Sequence, residues 1–401
     1  MDMENKKAKG RGLVVFLGLL TALAPLSTDM YLPALPEFSG EFGISASMAQ
    51  MTLTMTMVGM AAGQIAGGPL SDRWGRKKPL LLGMAVFALA SLACVMASDI
   101  YRFLGYRLLQ GFFGAFGIVV ARAIARDVCE GPALMRYFAV LMMVNGLAPI
   151  LAPVAGGQIL QLTDWRGIFA VLVVIGLGML AATAAFQETL PAARRSSGFL
   201  ESFRSFPRLI GDRYFRGHCL VQCFVFGAFF SYIAGSSFLF QNVYGLSAQA
   251  YSFIFGGIGA GLLFSGSFPA RFAGAVREVV MMKYSLLVPL AGSVFLLAGF
   301  LLDAPVWYTV PVLFVTIIPL SVLGASSVSL ALARQGAVSG SASALLGFSS
   351  MILGGAVMPL AGIAGDHTAV PMGILMTAGY ALAAAAFYRM VVPFHREEMN
   401  R

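Results

Sequence analysis

The chain has 401 residues, 58% of them hydrophobic and 11% charged, with a mean hydropathy of +0.82. Ordinary soluble domains carry roughly 25% charged residues, so a water-soluble enzyme is excluded and the class is a polytopic helical membrane protein. The formal net charge of +9 does not point to nucleic acid, because the basic residues form no cluster on a soluble module.

Lys6, Lys7, Lys9 and Arg11 precede the first apolar run. That run is too long for the core of a signal peptide, and Pro25 after Ala22-Leu23-Ala24 is a poor cleavage context, so a retained span is expected. Apolar windows of membrane-crossing length recur at about 12–33, 47–67, 79–97, 102–123, 137–160, 167–187, 217–240, 250–268, 279–301, 306–329, 342–364 and 371–391. The segment Glu188–Arg216 divides them six and six. The expectation is an all-α protein of twelve transmembrane helices in two pseudo-symmetric halves, 1–187 and 217–401, with a cytoplasmic linker at 188–216. All but four of the 27 Lys and Arg residues (Arg102, Arg107, Arg122 and Arg166) fall in the tails, the linker or alternate links, counting Lys283 and Arg389 at the soft edges of their spans with the adjoining link and tail. That asymmetry places both termini in the cytoplasm.

Asp29 is the only carboxylate inside any of these runs. A charge at that depth is costly unless paired, neutralised or wet, which marks a functional group by default. Pro25, Asp29 and Pro33 are spaced by four and share one helical face, and each proline removes a backbone donor. A bent first helix holding a protonatable group is expected. The four cysteines imply no disulfide framework, and His218-Cys219 with Cys223 reads as packing rather than a metal site. No metal or other cofactor is expected. His218, His367 and His395 are scattered at span or loop edges, so no converging catalytic set points to an enzyme, and no large extramembrane domain points to a receptor.

The links between spans two and three and between spans eight and nine look related. The first runs Gly68-Pro-Leu-Ser-Asp72-Arg73-Trp-Gly75-Arg76-Lys77-Lys78. The second, Gly266 to Arg277, keeps the Gly-to-Arg271 spacing but lacks the Asp. Paired halves of this kind are the usual build of a secondary transporter. The first link resembles the signature loop of the major facilitator superfamily, matching at Gly68, Asp72, Arg73, Gly75, Arg76 and Lys77. Span four carries Arg107-Leu-Leu-Gln110-Gly111, similar to the family's R-x-x-Q-G motif. Span five carries Pro149, Pro153, Gly156 and Gly157, which resemble the antiporter motif of drug-efflux members. Asp29-Met-Tyr-Leu-Pro33, Arg122-Ala-x-x-Arg126-Asp127 and Asp164-Trp165-Arg166 narrow the resemblance to the Bcr/CflA drug-resistance branch.

That resemblance implies a proton/drug antiporter of the bacterial inner membrane, exporting bicyclomycin- or phenicol-like compounds by alternating access. It implies Asp29 and Arg107 as the proton-coupling pair. It implies Gly68, Asp72, Arg73, Gly75, Arg76 and Asp127 as gating residues; Arg76 and Asp127 lie at the same membrane face and are expected to pair. Aromatic, methionine and amide side chains suit a plastic apolar pocket, and Tyr31, Met55, Asn145, Phe230, Tyr232 and Phe253 are its expected lining. The expected partners are a drug-like small molecule, protons and the lipid bilayer, with the chain acting as a monomer. The alternative is a narrow proton-coupled exporter of a metabolite such as a sugar, purine or amino acid.

Overall fold

The computed structural model describes residues 2–129, 131–195, 206–272, 275–335 and 339–394. The middle of the expected linker, the C-terminal tail and residues 273–274 of the second related link lie outside the described residues.

The α-helices in chain order are α1 (Asp2–Asp29), α2 (Leu35–Phe42), α3 (Ala46–Trp74), α4 (Lys77–Val95), α5 (Ile100–Val128), α6 (Gly131–Ile159), α7 (Trp165–Ala185) and α8 (Phe206–Gly211). They continue with α9 (Arg213–Phe238), α10 (Ala248–Ser265), α11 (Phe268–Arg271), α12 (Glu278–Leu301), α13 (Val306–Ile317), α14 (Leu320–Ala333), α15 (Ser339–Val357) and α16 (Val370–Ala386). Carboxylates outside the apolar runs start several of them. Asp99 accepts from Arg102 N at the head of α5, Asp164 from Arg166 N at α7, and Asp212 from Tyr214 N at α9. Each satisfies an orphan donor where the helix dipole favours negative charge.

Among the described residues, eleven helical stretches are long and apolar enough to cross a membrane. The expected second span is the 29-residue helix α3, long enough to cross but less apolar than the rest. Gln50, Thr52, Thr54, Thr56 and Gln64 dilute it.

The chain packs as two compact units, Met1–Ala34 with Met55–Phe199 and Leu35–Thr54 with Leu200–Arg401. In the first, α4 lies against α5 and α7, and α1 against α5 and α6. In the second, α9 is central and packs on α14, α15 and α16. The head of α3 belongs to this second unit through three hydroxyl or amide donors on one helical face. Ser47 donates to Pro359 O (2.7 Å), Gln50 to Ala234 O (3.1 Å) and Thr54 to Gly355 O (2.7 Å). Pro359 has no N–H, so the Gly355 carbonyl one turn earlier lacks its helical donor. Thr54 supplies the missing hydrogen bond.

Candidate functional site

Helix α1 ends at Asp29, and a 3₁₀ turn at Leu32–Ala34 follows. Two prolines explain the break, since Pro25 sits inside the helix and Pro33 inside the turn. Local hydroxyls repair part of the damage. Ser27 donates to Ala24 O at 2.9 Å, and the Thr28 hydroxyl lies 3.0 Å from Ala24 O and 3.1 Å from Asp29 Oδ1. Asp29 is 9% exposed. Helix α6 presses against this end of α1: a Cβ on Gly156 would lie 2.0 Å from Met30 O. Only glycine permits that approach, and it falls one residue from the carboxylate. Pro149 and Pro153 lie inside α6 and loosen the same helix, while Gly156 and Gly157 are buried.

Arg107 is fully buried in α5. Its Nη1 donates to Ser27 O at 2.9 Å and to Gln110 Oε1. The Gln110 amide then donates to Ser91 Oγ at 2.8 Å. This is why the motif needs Gln: one side chain accepts from the guanidinium and donates to α4. The guanidinium carbon sits 5.3 Å from the ring centroids of both Tyr31 and Phe169, within cation–π reach. Phe103 and Trp165 pack around those rings, with Phe103 edge-on to Trp165 at 5.6 Å.

Arg107 and Asp29 are therefore brought to one end of α1 but are not paired. The guanidinium is held by the Ser27 carbonyl, and the carboxylate by Thr28. Tyr31, expected in a pocket lining, is completely buried and forms one wall around Arg107. In this conformation one face of its ring is turned to the guanidinium. Met55 is half-buried and Asn145 exposed in the first unit. In the second unit Phe230 packs onto Gly354 of α15, and Tyr232 stacks on Phe255 at 5.7 Å and 7°. Phe253 is 60% exposed.

The signature loop builds a second site. Arg76 Nε donates to Asp127 Oδ2 at 2.8 Å and Nη2 to Oδ1 at 3.3 Å. Its Nη1 serves Asp72 and the Ser71 hydroxyl. Glu188 was not anticipated. Its carboxylate accepts from Arg76 N (2.9 Å) and Lys77 N (3.1 Å) at the head of α4, and from Thr189 N and Leu190 N (3.0 Å each) in its own loop. Thr189 also donates to Asp127 at 3.1 Å. Gly75, at φ +86°, would meet Glu188 Oε2 at 2.3 Å with a Cβ, so it is needed for both its backbone conformation and its space. Gly68 is not so constrained; its nearest neighbour would be a Val119 methyl at 3.6 Å. Arg73 is exposed. Burial works against the Arg76 charge, but hydrogen bonds and charge from Asp127 and Asp72 outweigh it and hold the guanidinium above its ordinary pKa. Burial likewise pushes Glu188 up, and the four backbone N–H groups more than reverse it, leaving its carboxyl below the usual range. Glu188 carried no sequence signal beyond its place at the end of span six, because its partners are backbone amides.

A model described as the Major Facilitator Superfamily matches residues 17–359. An uncharacterised MFS-type transporter, YdgK of Bacillus subtilis (strain 168), is 38% identical over 392 residues, covering 96% of this chain and 97% of that protein. The bicyclomycin resistance protein homolog of Haemophilus influenzae (strain Rd) is 30% identical over 379 residues, covering 94% and 95%. Among solved structures, a bacterial homolog of the human lysosomal transporter Spinster, in an inward-facing and unoccupied conformation, superposes with a TM-score of 0.77 at 14% identity. It covers 94% of this chain and 95% of that one.

Proposed function

This chain belongs to the major facilitator superfamily, a multi-pass membrane transporter, and from that premise we propose that it is a proton/drug antiporter of the bacterial inner membrane. It exports small amphipathic antibiotics of the bicyclomycin or phenicol kind by alternating access, with both termini in the cytoplasm and the chain acting as a monomer. One observation carries the reading. The carboxylate of the first span sits at a helix break, 9% exposed and paired with no cation among the described residues, one residue from the Met30 carbonyl that Gly156 of the proline-bearing helix α6 lets approach. A carboxyl so placed gains and loses a proton as its surroundings change, and a loosened helix pair is where such a change is transmitted. The relative named for bicyclomycin resistance supports the substrate class.

In this reading Asp29 carries the proton and Arg107 fixes the end of α1 through Ser27 O. The Asp72–Arg76–Asp127 network with Glu188 is the inner latch, and Tyr31, Met55, Asn145, Phe230, Tyr232 and Phe253 are the proposed lining. The test is survival of cells expressing the chain across a panel of toxic compounds, with and without an uncoupler. Protection against bicyclomycin or chloramphenicol that the uncoupler abolishes is expected. Protection that survives the uncoupler contradicts proton coupling, and no protection against any compound contradicts drug export.

A further inference from the structure

The donors of Arg107 are only partly used. A guanidinium carries five N–H groups and no acceptor. Two functions are met at Nη1, by Ser27 O and Gln110 Oε1. Nε and Nη2 are buried and reach no acceptor among the described residues. Native proteins rarely leave buried donors unmet, and a charged group least of all. The side chain has no freedom to turn and look elsewhere, because Tyr31 and Phe169 flank it and Gln110 is itself tied to Ser91. Asp29 does not meet the need, as its partner is Thr28. Further along the same helix, Arg122 is part-buried and also has no carboxylate partner among the described residues; its charged neighbour is another cation, Arg126. At 3.6 residues per turn Arg122 falls within about 60° of the Arg107 face. Helix α5 thus presents positive charge and spare donors at Arg107 and Arg122, neither paired with a carboxylate among the described residues.

We propose that Arg107 is a specificity-determining residue. The transported compound is neutral or anionic, and it carries an oxygen acceptor (carbonyl, nitro or carboxylate) that takes the Nε and Nη2 donors. Lipophilic cations are poor ligands, because they meet an unneutralised guanidinium in a low-dielectric site. Arg107 is closed from solvent in this conformation, so the acceptor enters in another conformation of the cycle. The Ser27 carbonyl links the occupied guanidinium to a segment two residues from Asp29, which gives binding a direct route to the proton carrier. This inference rests on the drug-export reading and deepens it.

The experiment is ligand binding to the purified full-length protein in detergent, with three probes: chloramphenicol (neutral), fusidate (anionic) and tetraphenylphosphonium (cationic). Chloramphenicol and fusidate are expected to bind at least tenfold tighter than tetraphenylphosphonium. Arg107→Lys keeps the charge and removes the Nε–Nη2 fork; it should weaken both acceptor ligands at least tenfold. Arg107→Gln removes the charge as well and should also narrow the gap to the cation. Equal binding of the cation by the wild type overturns the proposal and leaves drug export standing. Unchanged acceptor affinity in Arg107→Lys does the same. Binding of none of the three overturns both readings.

Discussion

Beside Asp29, Gly156 meets the backbone of Met30, so a main-chain contact rather than a side chain sets the spacing of α1 and α6. The Met30 carbonyl fills the space where any other residue at 156 would place a Cβ. Gly156→Ala should therefore push α1 and α6 apart, at a stability cost of roughly 1–3 kcal/mol, as overpacking does, and reduce transport at least tenfold. Gly68→Ala is the control, because a Cβ there makes ordinary contact with Val119. Thermal unfolding in detergent beside drug transport checks both; a Gly156→Ala protein of wild-type stability and rate removes this contact from the account. Asp29 was legible in the sequence as the one carboxylate in an apolar run, and Arg107 as a charge beside small residues. Their actual partners were not. Ser27 O and the backbone N–H groups around Glu188 are main-chain atoms, and a pattern of residue types does not display them. The sequence does not show the Arg107 contact of Tyr31 for a related reason: an aromatic in a span reads equally as pocket lining or as a cation's wall.

At the scale of the elements, the loop between α3 and α4 is clamped to the end of α5 and to the stretch after α7. The clamp was legible in outline, since Arg76 and Asp127 lie at the same membrane face, but Asp127 is shared with Thr189 and Arg76 with Asp72 and Ser71. Charge reversal should consequently repair only part of the damage. Asp127→Arg should cut drug uptake into inverted vesicles strongly. Adding Arg76→Asp should raise it above the worse single variant yet below wild type; a double variant no better than that single one contradicts direct pairing. Glu188 adds a pH dependence of known sign. Its folded-state pKa is depressed, so its contribution is fully present above the ordinary carboxylate value and fades only as pH falls through the lower folded value. The latch should hold unchanged at neutral pH and loosen only in acid, below the ordinary carboxylate range. Cysteine accessibility at the head of α4, measured against pH in wild type and Glu188→Gln, checks this: loss of protection near pH 6 in the wild type contradicts it.

For the whole molecule, the span layout was readable because bilayer thickness fixes helix length, and even the polar helix α3 announced itself by its length. What could not be read is that residues 35–54 pack with the second unit, since nothing in a continuous helix marks where its neighbours change. Topology rests on the distribution of Lys and Arg. In a variant without Cys94, Cys129, Cys219 and Cys223, single cysteines at Lys7, Ser197 and Asn400 should resist a membrane-impermeant reagent in intact cells, and labelling of any one from outside reverses the orientation. A single span carboxylate also implies one proton per cycle. Export of a neutral drug then moves charge and gains about 2.3 kcal/mol per 100 mV of membrane potential, whereas exchange for a monovalent cation gains nothing. The most direct test of the central claim is drug-induced proton release and charge movement in proteoliposomes, wild type beside Asp29→Asn. The account predicts one proton and one charge per molecule of chloramphenicol in the wild type, and neither in Asp29→Asn; full proton-coupled transport by Asp29→Asn contradicts it.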